Sequence, residues 1–269
     1  MYNTFQLKSC GAGLMGYHWE AADAAAVLCI IHGQGEYGEM YDHMAEEMVR
    51  NNISVLAMDL RGHGYSIGRR GHIGGRDTVL RDVDSLIALA ARKYIHLPII
   101  VYGHSLGGNI LLDYRLNGSL ATMPALYIAA SPWLVLTRKY SPIMRGYVRL
   151  MSLMKPRHLF NIHVNKLVAD KPIHNFISAR TLLDRVEVTK RLLDIDSYDL
   201  KKQRKPLIIM HGSDDKICTI EGPNKISEID REECTLIVWE GCGHELHNAD
   251  TNTNSMVYFD KLAEIIKAR

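Results

Sequence analysis

Short apolar runs alternate along the chain with segments whose apolar residues return every three or four positions. Residues 24–31, 53–58, a run opened by Pro98, and residues 125–130, 205–210 and 234–239 read as buried strands. Residues 41–51, 78–94 and 256–267 read as helices. Val79, Val83, Leu86, Ile87 and Ala90 share one helical face, as an amphipathic helix packed on a core requires. Residues 2–8 and 13–20 read as a hairpin joined at residues 9–13. Strands that alternate with helices of this length predict βαβ units and a mostly parallel sheet, hence an α/β fold. Residues 132–204 break the rhythm. They are helical in character, rich in Arg, Lys and Met, and contain no convincing strand. They are expected to form a helical cap or lid inserted into a core built from residues 1–131 and 205–269.

One junction stands out. The run Ile99-Ile100-Val101-Tyr102 stops at Gly103-His104-Ser105-Leu106-Gly107, and the chain restarts as an apolar, helix-forming segment through Leu112. G-x-S-x-G between a strand and a helix is a nucleophile elbow: the serine sits on a sharp turn, and the glycines leave room for it. The next amide, that of Leu106, points to where an oxyanion would form. A serine hydroxyl needs a base, and the base needs a carboxylate to orient it. In this chain order the acid follows the serine and the histidine comes last. The strand at 207–210 runs into His211-Gly212-Ser213-Asp214-Asp215, which offers two acids. The strand at 236–239 runs into Glu240-Gly241-Cys242-Gly243-His244-Glu245-Leu246-His247, which offers two bases.

Composition narrows the alternatives. A chain of 269 residues with net charge +2 and pI about 8.2 has neither the basic surface of a nucleic-acid binder nor an acidic tail. The first residues lack a basic and then apolar leader, and no apolar run reaches membrane-spanning length, so a cytoplasmic location is expected. The cysteines, Cys10, Cys29, Cys218, Cys234 and Cys242, are odd in number and form no C-x-x-C pair, which fits free thiols better than metal ligands. Cys218 and Cys242 lie beside the candidate acid and base, so they read either as alkylation-sensitive thiols or as inert buried ones. The stretch Asp59-Leu60-Arg61-Gly62-His63-Gly64-Tyr65-Ser66 lacks the Lys-Ser/Thr ending of a P-loop and reads as structural. His32 reads as a brace for the glycine loop that follows it, and His247 as a helix-start or surface histidine.

With these residues in view, the chain resembles the α/β-hydrolases of the monoacylglycerol lipase and lysophospholipase-like group, which is filed with the S33 serine aminopeptidases. The resembling segments are His32-Gly33-Gln34-Gly35-Glu36, Asp59 through Ser66, Gly103 through Gly108, Gly212 through Asp215 and Glu240 through His244. The resemblance implies an α/β-hydrolase fold: a mostly parallel central sheet flanked by helices, with a helical lid insertion. Its G-x-x-D spacing selects Asp215 over Asp214 as the acid, and its E-G-x-x-H ending selects His244 over His247 as the base. It also implies Gln34 as the second oxyanion-hole amide beside Leu106.

The lid departs from the group's pattern: Asp170-Lys171-Pro172-Ile173-His174 follows closely on Asn165-Lys166-Leu167, so the acyl or alcohol pocket is expected to be reshaped. Ile143, Met144, Tyr147, Val148, Leu150, Met151, Leu153 and Met154 line one helix, interrupted by Arg145 and Arg149. This face reads equally as a surface for lipid, with transient membrane contact, and as a face packed on the core. Methionines tolerate varied acyl shapes, so Met144, Met151 and Met154 are the candidate pocket wall. The resulting expectation is a serine hydrolase of carboxylic esters, monoacylglycerol or lysophospholipid-like, using Ser105, His244 and Asp215. It calls for no metal or organic cofactor and no nucleic-acid partner, and it leaves the oligomeric state open. The rivals are a small-ester esterase, an acyltransferase, a silent scaffold, and a peptidase whose lid acid (Asp170, Asp184 or Glu187) holds a substrate amine.

Overall fold

The computed structural model describes residues 1–138, 140–162, 171–198, 204–248 and 255–269. Its centre is an eight-stranded sheet. In chain order the strands are β1 (Asn3–Ser9), β2 (Ala12–Trp19), β3 (Ala26–Ile31), β4 (Ile53–Met58), β5 (Ile99–His104), β6 (Leu126–Ala130), β9 (Leu207–Gly212) and β10 (Cys234–Trp239). In space they run β1-β2-β4-β3-β5-β6-β9-β10. β2 is antiparallel to both β1 and β4, and every other pair is parallel. β3, β4 and β5 are buried at every position, which is why they read as unbroken apolar runs and not as alternating ones.

Helices cover both faces. Val27, Cys29, Ile31 and Val101 pack with α2 (Arg76–Lys93) and α3 (Leu106–Asn117); Leu28, Ile30, Ile100 and Tyr102 pack with α1 (Asp42–Arg50) and α7 (Ser255–Lys267). The split follows strand geometry, since alternate residues point to opposite faces. Burying each such Val, Leu or Ile contributes about 1.5–3 kcal/mol. α6 (Glu221–Ile229) joins β9 to β10. The elbow helix α3 is buried almost all round and is held by ion pairs at its C-terminal half. Arg76 grips Asp113 with two bonds of 2.6 Å, and Arg115 Nη1 donates to Asp230 Oδ2 at 2.6 Å.

Between β6 and β9 lie α4 (Pro142–Met154), β7 (Leu159–Asn161), β8 (Phe176–Ser178) and α5 (Ala179–Leu192). Here one expectation is corrected. β7 and β8 form a two-stranded antiparallel sheet in a segment read as free of strands. Three-residue strands are too short for their alternation to register in sequence. α4 opens as its sequence directs, with Pro142 in the first turn and the Ser141 hydroxyl accepting from the Met144 amide at 3.2 Å. α5 is capped in the same way by Ser178.

Candidate active site

The parallel strands all point their C-terminal ends to one edge, and the loops that leave β3, β5, β9 and β10 meet there. This is where open α/β sheets place their ligands. Ser105, between β5 and α3, has φ 51° and ψ −112°. A non-glycine residue held there stores about 1–3 kcal/mol of strain. The neighbouring glycines make the turn sterically possible: a Cβ on Gly107 would lie 2.0 Å from the Ile31 carbonyl oxygen, and one on Gly103 would lie 2.4 Å from the Gly107 oxygen. The turn is pinned on both sides, because the Ser105 amide donates to Ala130 O at 3.0 Å and the Trp133 amide donates to Ser105 O at 2.8 Å.

The hydroxyl that results lies 3.0 Å from His244 Nε2, and His244 Nδ1 lies 2.7 Å from Asp215 Oδ2. The other Asp215 oxygen accepts from the amides of Ile217 and Cys218 at 2.8 and 2.9 Å. Burial pushes the Asp215 carboxyl upward, but the His244 bond and charge, joined by the two amides, hold it below the ordinary carboxylate range. An ionised Asp215 fixes the proton of His244 on Nδ1 and leaves Nε2 to accept from Ser105. This is the arrangement by which a serine hydroxyl becomes a nucleophile. Asp214, the other acid on this loop, is exposed. His247 is corrected. It is buried, stacked on Tyr41 at 4.6 Å and edge-on to His104 at 4.6 Å, and burial lowers its pKa to about 3.

Leu106 is the first residue of α3, so its amide has no intrahelical acceptor. Gln34 lines the same small cavity as Ser105, Trp133, Ile217 and His244, and its side-chain Nε2 donates to Phe176 O at 2.7 Å, tying the loop after β3 to β8. His32 is the brace expected of it: Nδ1 is bonded to Gly33 O at 2.7 Å and Nε2 accepts from the Leu60 amide at 2.9 Å. Asp59 is likewise structural. Its carboxylate accepts from the amides of Gly38 and Tyr65, each at 2.7 Å.

Sequence reasoning missed Glu36 and His104. Both are buried, and they meet at 3.1 Å directly behind the elbow. Glu36 also accepts from the Gly33 amide at 2.8 Å and from the Tyr41 hydroxyl at 2.7 Å, while His104 Nε2 lies 3.3 Å from the main-chain oxygen of His244. Burial alone would neutralise the pair, but mutual attraction holds Glu36 low and raises His104. The available signal was a titratable residue in the glycine-containing turn that follows each of two apolar runs. Among the described residues, Glu36, His104 and His247, and separately Asp215, Cys218 and His244, are the groups close enough to hold a metal. The same atoms of Glu36, Asp215 and His244 are already engaged in the bonds above.

Of the candidate wall residues, Met144 lines a groove of ≈ 590 Å³ that shares Trp133 and Ile217 with the Ser105 cavity. Met151 and Met154 are not among its lining, and Met154 is 66% exposed. α4 buries Val148 and Ser152, leaves Met151 half-buried, and exposes Ile143, Met144, Tyr147, Leu150, Leu153 and Met154. Cys218 and Cys242 are both buried, and burial raises the Cys218 thiol well above its ordinary range, which favours the inert reading.

Several histidines are buried, and burial lowers the pKa of His32, His63, His174 and His247, to about 4 for His174 and about 3 for His247. Such groups are neutral when folded and take up a proton on unfolding once the pH falls below about 6.5. The stability these four groups contribute is therefore full above that pH and is lost below it, by up to about 1.4 kcal/mol per pH unit for each group, and the raised His104 offsets only one of them. Urea midpoints at pH 7.5 and pH 5.0 are expected to differ accordingly; equal midpoints would contradict this assignment.

The sheet order, the elbow and the converging loops define an α/β-hydrolase. The chain belongs to the family described as "Serine aminopeptidase, S33", whose model matches residues 22–251. It is 31% identical over 265 residues to an uncharacterized abhydrolase domain-containing protein of Dictyostelium discoideum; the match covers 91% of this chain but only 26% of that longer protein. It is 24% identical over 237 residues to the monoacylglycerol lipase of Mycolicibacterium smegmatis, covering 84% of this chain and 83% of the relative. In fold it is similar to a soluble variant of monoglyceride lipase from Saccharomyces cerevisiae solved with a substrate analog, with TM-score 0.81, 22% identity, and coverage of 99% and 94% of the two chains.

Proposed function

We propose that this protein is a serine hydrolase of carboxylic esters acting on single-chain lipids of the monoacylglycerol or lysophospholipid type. The observation that carries the reading is the unbroken bond chain Ser105–His244–Asp215 opening toward a ≈ 590 Å³ groove with apolar residues along its wall. Ser105 attacks the carbonyl while His244 takes its proton, the ester C–O bond breaks, and His244 returns the proton to the leaving alcohol. Water then attacks the acyl-enzyme, with His244 as base, and frees the acid. Asp215 keeps His244 in the productive tautomer, and the Gln34 and Leu106 amides receive the oxyanion. Relatives named monoacylglycerol lipase support the substrate class.

The segment between β6 and β9 acts as the lid in this reading. Ile143, Leu150, Leu153 and Met154 on α4 are 86, 50, 76 and 66% exposed, and Arg145 and Arg149 flank them. That pattern suits brief seating on a lipid surface. The peptidase reading has less support. Asp184 is engaged with Arg180 and with the Arg76 amide, Glu187 lines a different cavity, and Asp170 lies outside the described residues.

The test is hydrolysis of p-nitrophenyl esters from acetate to palmitate, beside a monoacylglycerol and an aminoacyl-p-nitroanilide, with Ser105→Ala as blank. Serine-dependent turnover that peaks at medium or long chains is expected. Turnover of the anilide alone would replace the reading with a peptidase, and a peak at acetate with a small-ester esterase.

A further inference from the structure

The groove beside Ser105 has a charge pattern that plain ester hydrolysis does not call for. Residues 135–137 pair antiparallel with residues 217–219: Leu136 bridges Cys218, the Thr137 amide donates to Ile217 O at 3.0 Å, and the Thr219 amide donates to Val135 O at 2.8 Å. Arg138 and Lys216 are the next residues on the two segments. Both side chains are exposed and line the groove, whose lining contains no carboxylate. Neither cation has an ion pair among the described residues. Of the nearby acids, Asp215 is spent on His244 and Glu36 on His104, Glu245 accepts from Asn248 at 2.6 Å in the Ser105 cavity, and Asp214 faces solvent. Like charges on the lining of one groove repel, and an anion seated between them reverses the sign.

The distribution of charge along the chain points the same way. Residues 132–169 hold seven Lys or Arg and no Asp or Glu; since the whole chain is +2, everything outside that stretch sums to −5. Five of the seven, Arg138, Arg145, Arg149, Lys155 and Arg157, lie among the described residues of the insertion, and a positive field there steers anions toward the site.

We propose that the preferred substrate is a single-chain ester whose leaving alcohol carries a phosphate, an anionic lysophospholipid, with the phosphate held between Arg138 and Lys216. This rests on the ester-hydrolase reading above. The acyl carbon bonds to Ser105 Oγ, the ester C–O bond breaks, and the serine proton passes through His244 to the departing alkoxide. Glycerol phosphate leaves, and water releases the fatty acid from the acyl-enzyme.

The experiment compares kcat/KM for 1-octanoylglycerol 3-phosphate and 1-octanoylglycerol, both kept monomeric so that a charged lipid surface plays no part. The phosphate ester is expected to be favoured by about tenfold, in KM, which is the scale of a charge-assisted contact. Arg138→Glu and Lys216→Glu are each expected to lower the ratio about tenfold, and raising ionic strength from about 0.02 to 0.5 M to narrow it. Both positions are exposed, and Arg138→Gln and Lys216→Gln serve as milder forms if a reversal disturbs folding. A ratio at or below one, or a ratio that neither reversal moves, overturns the proposal and leaves the hydrolase reading intact. A preference for the anion seen only on anionic vesicles assigns the charge to surface attraction and also overturns it. Absence of turnover with any ester would instead remove the hydrolase reading itself.

Discussion

Asp215→Asn is expected to lower kcat by about four orders of magnitude while leaving the fold in place. The geometry explains why so small a change is so costly. One Asp215 oxygen accepts from the Ile217 and Cys218 amides, and the other from His244 Nδ1. An asparagine keeps the first pair of bonds only by facing them with its oxygen, which turns its NH2 group toward His244. Nδ1 must then accept, the proton moves to Nε2, and Nε2 can no longer take the proton of Ser105. Rates of p-nitrophenyl ester hydrolysis and of labelling by a fluorophosphonate probe check this, beside a far-UV spectrum to confirm folding. A loss of less than about tenfold would mean that Asp215 does not orient the base.

The largest effect on stability is expected at Asp230→Ala, which would cost about 3–5 kcal/mol. Asp230 is fully buried and receives Arg115 Nη1 at 2.6 Å and Arg204 Nε at 2.9 Å; the Arg115 side chain is 1% exposed. Arg115 Nε also donates to Lys205 O at 2.6 Å, so this one group ties the end of the elbow helix to the approach to β9. Removing the carboxylate strands a guanidinium in the interior, which costs far more than the net worth of the pair. For a domain of this size the melting temperature should fall by about 10 °C. Adding Arg115→Met to the variant should recover much of the loss, because the buried charge leaves with its partner. A fall of only a degree or two in the single variant would show that water reaches Arg115.

How much of this was legible beforehand differs by element. The strands were readable because a strand buried on both faces is apolar at every position, as in Ile53–Met58 and Ile99–His104. α2 was readable because Val79, Val83, Leu86 and Ile87 keep a helical period. The elbow was readable because the backbone at Ser105 tolerates little but glycine at positions 103 and 107. The acid and base were narrowed to two residues each by chain order. Choosing Asp215 over Asp214 and His244 over His247 rests on resemblance; in the structure His244 lies 2.7 Å from Asp215 Oδ2 and 3.0 Å from Ser105 Oγ.

By itself, then, the sequence determined the layered α/β architecture and the elbow, and put the candidate acids and bases at strand ends, because these follow from local pattern: hydrophobic period, glycine at cramped turns, polar residues closing apolar runs. Only tertiary structure decided what depends on distant partners. It brought Glu36 and His104, 68 residues apart, into one buried pair, and took His247 off the surface by packing Tyr41 and His104 against it. It turned the apolar face of α4 outward, where amphipathic spacing alone could not choose between core and solvent. It also carried Arg138 and Lys216 into the lining of one groove, since a contact between segments so far apart leaves no periodic trace in either of them.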